Sequence, residues 1–510
     1  MRIFQTRSAL LSLLLTFFST ALAAPAASPT AAPKATPTGA PKATPTAAPK
    51  ATPTAAPTPS VATPTPSVPE KPNATPAEQL QIQNKKYQSL ESFSYVLNLL
   101  ESRYVDEKAV SNDILLEKAI RGIVAGLDPH TIYLPPTDLR EFQNDTSGKF
   151  GGVGIVITQT NRFLEVVEVL ADSPAARSGI QAGDIIYSIE NTPVTIKNAQ
   201  ELLNRIRGDV GSVLEIEVVP AAVANEQKLR EGKNFYPLTD KHLKTKKYKM
   251  RREIIRTSSV SSAKLSEGYA YARITIFQED TGESLDKALS KLEEQNGGRL
   301  KGFILDLRDN PGGLFDQAVR VADLFLDSGI IVSTIGRDKA AQSVEYATTR
   351  DTHPAMPMVV LVNERSASAS EIVAGALQDH NRAIIMGTTS FGKGSVQQIV
   401  QLPNGGGLKM TIARYYTPKG KSIQAKGIVP DVVIAQTQTA KDGEKKKETS
   451  RKEADLEGHI DATDLNTNGT NGITTSGGSA DSEKWPANLR NDNLVRSAFA
   501  YLKGWERFQK

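Results

Sequence analysis

Between residues 302 and 386 the chain runs through one rhythm twice and begins it a third time, and this rhythm constrains the fold more than any other feature. Residues 302–307 are almost continuously apolar, then Asp309-Asn310-Pro311-Gly312-Gly313 forms a turn and residues 314–326 carry a helical pattern. Residues 358–362 form a second apolar run, turn through 363–368 and enter a helical stretch at 371–378. Residues 383–386 form a third run. Apolar runs without alternation suit strands buried on both faces, and strands separated by helices pair in parallel. The expectation is a multidomain α+β chain whose centre, residues 258–436, is an α/β core with a partly parallel sheet. At 510 residues the chain is too long for one core, so two or three domains are expected.

The N-terminal third supplies none of that core until about residue 78. Arg2 and Arg7 precede an apolar run at 9–18, and Ala21-Leu22-Ala23 offers small residues where a signal peptidase cuts. The run is short for a membrane span, which needs about twenty residues. Residues 1–23 therefore read as a secretory signal, with an uncleaved anchor as the alternative, and the protein as exported to the periplasm or cell envelope. Residues 24–77 are mostly Ala, Pro, Thr and Lys, with Ala-Pro-Lys-Ala-Thr-Pro-Thr starting at Ala32, Ala40 and Ala48. Proline forbids helix there and nothing can build a core, so this is a disordered spacer that would hold the folded part off a membrane or wall.

Residues 78–146 read as helical: Leu80, Tyr87, Leu90, Phe93, Val96 and Leu100 recur at helical spacing, and 114–127 gives a second helix broken by Asp128-Pro129-His130. Residues 147–222 form a β-rich unit. It opens on Phe150-Gly151-Gly152-Val153-Gly154, continues in strands at 155–158, 164–170 and 185–189, and closes with a helix carrying Leu202, Leu203 and Ile206 and a strand at 213–219. A glycine-rich turn before a strand frees N–H groups for an anion, and the neighbouring strand edge can take an extended peptide. With Asp172-Ser173-Pro174-Ala175-Ala176 and the run 179–184, the unit resembles a PDZ domain.

The net charge of +5 invites a nucleic-acid reading, but residues 226–256 hold eleven Lys/Arg against four Asp/Glu. The rest of the chain is close to neutral. Residues 223–257 are therefore taken as a solvated basic insertion, and no nucleic acid is expected as partner, because no recognition motif accompanies the charge and Tyr248 alone among its aromatics stands between basic neighbours. Residues 437–483 are polar and read as flexible. Residues 484–510 read as a helix docking through Leu494, Ala498, Tyr501, Leu502 and Trp505. The chain has no cysteine, which excludes disulfides, thiolate catalysis and zinc–thiolate sites.

The richest chemical stretch is Arg365-Ser366-Ala367-Ser368-Ala369-Ser370-Glu371, which joins a buried strand to a helix. Serines before a helix are usually N-caps, yet three alternate serines exceed what one cap needs. A helix N-terminus also favours developing negative charge. A serine nucleophile needs a base. Of His130, His242, His353, His380 and His459, only His380 lies in a promising region, and it sits about 15 Å along the helix from the serines at 1.5 Å per residue. No Gly-x-Ser-x-Gly or His-Glu-x-x-His motif occurs. A lysine with its pKa depressed by burial is the remaining type of base. Phe391-Gly392-Lys393-Gly394-Ser395-Val396-Gln397 offers Lys393 between glycines, with Gln397 four residues on as a neutral orienting group.

Ser-Ala-Ser-Ala-Ser-Glu-Ile, Ala-Gly-Ala-Leu-Gln-Asp, Phe-Gly-Lys-Gly-Ser-Val-Gln, the run 305–313 and Ala413-Arg414-Tyr415-Tyr416-Thr417-Pro418 together resemble the carboxyl-terminal processing (tail-specific) proteases, over about residues 87–434. The resemblance implies a serine endopeptidase with Ser368 as nucleophile and Lys393, 25 positions on, as general base. Gln397 would orient the lysine, and the N–H of Ala369 with that of Gly312 or Gly313 would form the oxyanion hole. It also implies protein substrates with apolar C-terminal tails bound at Phe150, Gly151, Gly152, Val153 and Gly154, a possible adaptor or activator protein, and no metal or organic cofactor. Arg365 stands where many relatives have glycine and Asp309 where asparagine is common; neither removes a catalytic group. The rival expectation is a catalytically silent PDZ adaptor, against which Ser368 and Lys393 are both intact.

Overall fold

The computed structural model describes residues 75–160, 163–195, 197–226, 244–337, 342–353, 356–435, 451–462, 473–474 and 485–508. The expected signal and the spacer as far as residue 74 lie outside them, as does 227–243 of the basic stretch; residues 75–77, expected in the spacer, cap and open the first helix. Among the described residues no helix is long and apolar enough to cross a membrane. The described residues divide into two units, residues 75–116 and those from 117 on.

The helix Pro76–Arg103 belongs to the first unit. Thr75 and Glu78 cap it reciprocally, the Thr75 N–H donating to Glu78 Oε2 (2.7 Å) and the Glu78 N–H to Thr75 Oγ1 (3.4 Å), and Pro76 opens it at the position where proline lacks nothing. The apolar residues that predict this helix (Leu80, Tyr87, Leu90, Phe93, Val96 and Leu100) are all exposed.

In the larger unit a seven-stranded sheet carries the core. Its order is Val260–Lys264, Tyr269–Ile274, Gly302–Asp306, Met358–Val362, Ile384–Gly387, Val432–Val433 and Ile473–Thr474. The first pair is antiparallel and the rest are parallel. Alternation along each central strand divides two apolar layers. Phe303, Leu305, Val360 and Val362 face a layer with the helices Thr281–Gln295, Phe315–Asp323 and Ala369–Asp379, while Ile304, Val359 and Leu361 face Trp485 and the helix Asn493–Phe508. That last helix docks through Leu494, Val495, Ala498, Phe499 and Leu502; Tyr501 and Trp505, expected on its buried face, are exposed. A second sheet joins Ile132–Leu134, Gly407–Tyr416, Ile330–Gly336 and Ser343–Tyr346, with Ser395–Gln401 paired to Gly407–Tyr416.

The β-rich unit has its own core and a five-strand path: Ile155–Gln159, Leu164–Val169, Ile185–Ile189, Val213–Val219 and Lys246–Arg251. The last strand comes from the stretch expected to be a solvated insertion. Lys-Lys-Tyr-Lys-Met-Arg alternates with period two, so Tyr248 and Met250 enter the core while the lysines face water. Burying each of the two is worth roughly 1.5–3 kcal/mol, more than the solvated charges cost. The following strand Glu253–Arg256 pairs antiparallel with Lys149–Gly152, making a two-stranded ribbon where the chain leaves this unit. Residues 451–462, within the stretch expected to be flexible, form an ordered turn with Glu453 fully buried.

Candidate active site

Residues 363–371 connect a central parallel strand to the helix Ala369–Asp379, so their turn sits at the carboxyl edge of the sheet, where open α/β sheets place their sites. The three alternate serines have separate tasks. Ser366 is fully buried; its Oγ donates to Leu307 O (2.8 Å) and accepts from the Asn363 N–H (2.9 Å). Ser370 is fully buried too, and its Oγ donates to Asn310 O (3.0 Å). These two fasten the turn to the 305–313 segment and leave Ser368 between them, partly exposed, with φ of 54°. A non-glycine residue there costs on the order of 1–3 kcal/mol and is held by its surroundings.

The 305–313 segment is itself locked. Arg308 is buried between Asp306 (Nη2–Oδ2 2.6 Å) and Asp492 (2.7 Å), which ties the end of the strand Gly302–Asp306 to the C-terminal region. The turn then brings Gly312 against Ser368: a Cβ on Gly312 would lie 2.8 Å from Ser368 Cβ and 3.1 Å from Ala369 N. At Gly313 (φ 139°) a Cβ would lie 2.2 Å from Phe277 O, so only glycine fits either place. The Gly312 N–H already donates to Asn310 Oδ1 (2.9 Å). Among the described hydrogen bonds the N–H groups of Gly313 and Ala369 have no acceptor, and of the two candidate glycines Gly313 is the one whose donor stays available.

Lys393 lies in a loop packed onto residues 424–427. A Cβ on Gly394 would meet Gln424 N at 2.3 Å and one on Gly392 would meet Gly427 N at 3.1 Å, which is why glycines flank the lysine. Burial, and after it the nearby Lys409 charge, push the Lys393 amine down to about 8, against the opposing pull of Glu453, Glu371 and Asp128.

Among the described residues no hydrogen bond joins Ser368 Oγ to Lys393 Nζ. What joins these residues is Glu371, fully buried on the first turn of the helix. Its carboxylate accepts from the N–H groups of Ser368 (2.7 Å), Gly392 (2.7 Å) and Lys393 (2.9 Å) and from Ser390 Oγ (2.5 Å). Burial pushes its carboxyl up to about 7, while those four donors hold it toward the charged form. The sequence reading passed over Glu371; the signal for it was the Ser-x-x-Glu spacing of a capping box. Gln397 lies on the strand Ser395–Gln401, where its Nε2 donates to Ser395 Oγ (2.8 Å), and no described hydrogen bond reaches Lys393 from it. His380 caps the far end of the helix and meets Ile330 O (2.7 Å), outside the site.

The expected tail-binding stretch is split. Phe150, Gly151 and Gly152 belong to the two-stranded ribbon, and Val153 is buried. Gly154 turns in the left-handed region (φ 79°) into Ile155–Gln159, which ends the sheet path and leaves one edge unpaired among the described residues. Ile155, Ile157 and Leu203 are half-buried and pack against this unit's core.

Residues 268–434 match the model of peptidase family S41, and residues 165–220 that of a PDZ domain. The chain is 36% identical over 423 residues to the carboxy-terminal-processing protease of Bartonella bacilliformis, covering 82% of this chain and 89% of that one. This chain belongs to the carboxy-terminal-processing proteases, and it is a serine peptidase. The carboxyl-terminal-processing protease of Synechocystis is 34% identical over 350 residues, covering 66% of this chain and 75% of that protein. The solved photosystem II D1 C-terminal processing protease shares 29% identity, over 67% of this chain and 92% of that one, with a TM-score of 0.38.

Asp309 and Arg365, the two positions where the resemblance leads to a different residue, meet each other in the structure. Arg365 donates from Nε to Asp309 Oδ1 (2.8 Å), and Arg273 and Asn363 complete the cluster around Asp309 (3.2 and 2.7 Å). Burial opposes ionisation of Asp309, but Asn363, Arg365 and Arg273 together hold its carboxyl below the usual range. Arg365 is 61% exposed, so a double-mutant cycle of Asp309→Asn and Arg365→Gly is expected to give a coupling of at most about 1 kcal/mol by denaturant unfolding. Additive effects would show that the two changes are unrelated.

Proposed function

We propose that this protease cleaves exported proteins that present apolar C-terminal tails, by acyl-enzyme chemistry on Ser368. Neutral Lys393 takes the Ser368 proton as Oγ attacks the peptide carbonyl. The carbonyl oxygen, now negative, is received by the N–H groups of Ala369 and Gly313. Lys393 then passes the proton to the leaving amine, and water, activated by the same lysine, hydrolyses the ester. Gln397 would orient the lysine once substrate is bound, since apo contacts commonly tighten in the complex. The observation that carries this reading is Ser368 at a helix N-terminus, tied through Glu371 to a lysine that burial keeps easy to deprotonate.

Tail capture is read from the PDZ unit. An extended tail would add to the edge Ile155–Gln159, place its apolar side chain over Ile155, Ile157 and Leu203, and set its carboxylate against the turn at Val153 and Gly154. Export rests on the signal-like residues 1–23, and the following spacer would keep the enzyme near the envelope. An unfolded reporter with an apolar C-terminal tail is expected to show kcat/KM at least about tenfold above the same reporter with a charged tail, the difference lying in KM. Equal cleavage of both would end the tail-capture reading, and binding without cleavage of either would favour an adaptor.

A further inference from the structure

The match to the peptidase family model ends at residue 434, yet residues 451–462 return to the loop that carries Lys393. Their short helix Glu453–Asp455 presents Glu453, fully buried. Its N–H donates to Phe391 O (3.2 Å). Its Oε1 accepts from Gln424 Nε2 (2.8 Å), and Gln424 Oε1 accepts in turn from the Gly394 N–H (2.9 Å). Both carboxylate oxygens lie 2.8 Å from His130 Nε2, in the loop before Ile132–Leu134. Glu453 thus holds the residues on both sides of the 392–393 pair, one directly and one through Gln424, while Glu371 accepts from the N–H groups of Gly392 and Lys393 themselves.

A buried carboxylate is costly wherever an apolar side chain would fill the space, so its retention beside this loop asks for a use. We propose that Glu453 is a positioning residue for the base: residues 451–461 form a strap that clamps the 391–394 loop and fixes where Lys393 points. The inference rests on Lys393 acting as the base.

The strap also adds a charge. The ionisable groups facing Lys393 are Lys409 on Gly407–Tyr416, Glu371 on Ala369–Asp379, Asp128 ahead of Ile132–Leu134, and Glu453 of the strap, which His130 in turn faces. Lys409 favours the neutral amine and the three carboxylates favour the ammonium. Removing the Glu453 charge therefore favours neutral Lys393, and the acidic limb of activity moves to lower pH.

The test uses the full chain with Glu453→Ala and Glu453→Gln. Turnover of a tail-bearing unfolded substrate is followed across pH, alongside tail-peptide binding and the rate at which an amine-selective reagent labels Lys393. Glu453→Ala is expected to lower kcat about ten- to a hundredfold, the scale of a misplaced catalytic group, with tail binding unchanged. Glu453→Gln, which can still accept from Gln424, is expected to recover most of kcat while its acidic limb and its labelling profile both move to lower pH. Glu453→Ala turnover within about twofold of wild type overturns the strap. So does equal loss in both variants at every pH with no labelling shift, which is what a purely structural role gives. If the wild type makes no Ser368-dependent cuts, the peptidase reading falls instead, and the labelling profile alone then decides the strap: a shift supports it and an unchanged profile overturns it.

Discussion

Replacing Ser368 by alanine is expected to lower peptide cleavage by at least about 10⁴-fold while leaving tail binding and stability nearly unchanged. The loss is large because the nucleophile, base and oxyanion donors act as a unit, and removing the first leaves only positioning and the backbone N–H groups. Binding should survive because the PDZ edge rests on a different apolar core from the one under Ser368. Stability should survive because the turn is held by Ser366, Ser370 and Glu371, whose side-chain bonds to Leu307 O, Asn363 N–H, Asn310 O and the Ser368 N–H do not use the Ser368 hydroxyl. The measurement pairs cleavage of an unfolded, tail-bearing substrate with anisotropy of a labelled tail peptide. Residual cleavage within about tenfold of wild type would remove Ser368 as nucleophile. Loss of both cleavage and binding would mean that the substitution acts by disturbing the fold.

The alternation of serines shows how far sequence carried the site and where it stopped. Residue type and spacing singled out the run, because three hydroxyls ahead of a helix exceed one cap. The division of labour among them was not legible, since it depends on Leu307 O and Asn310 O, about sixty positions away. Glu371 is a similar case. Its capping-box spacing is local and readable, but its bonds to Ser390, Gly392 and Lys393 come from the chain's return some twenty residues later. Local patterns name the element a residue starts, whereas the partners across a turn come from topology.

The same distinction accounts for the fold. The strand–turn–helix rhythm at 302–386 was strong enough to give the parallel sheet, because doubly buried strands are apolar throughout. The run 246–251 was read by its charge, when its period-two placement of Tyr248 and Met250 was the feature that decides burial. In the C-terminal helix, spacing found the face but not its width: Val495 and Phe499 are inside, and Tyr501 and Trp505 are on its shoulder. Glu453 lay in a stretch whose polar composition argued against any packing. Its burial depends on partners far away in sequence, Gln424 and, more than three hundred positions earlier, His130.

Lys393→Met is the second substitution expected to have a large effect, with a loss of roughly 10³-fold or more at every pH, because it removes the proposed base for the Ser368 proton. Methionine matches the length of the lysine stem and brings no charge into a buried place, so the variant should unfold at or above the wild-type temperature. Retained stability with lost activity separates a catalytic role from a structural one. In the wild type the base works only when neutral, so kcat/KM should rise with pH through about 8, where burial has pushed the Lys393 amine. The sign is testable through Lys409, whose positive charge disfavours the protonated form of Lys393. Lys409→Met removes that repulsion, the ammonium of Lys393 becomes easier to keep, and the acidic limb moves to higher pH. A limb that stays in place in Lys409→Met, or activity that persists in Lys393→Met, would assign the proton transfer to another group. A limb that moves up with Lys409→Met and down with Glu453→Gln would place one titrating amine between those two charges, and Lys393 is the amine that lies there.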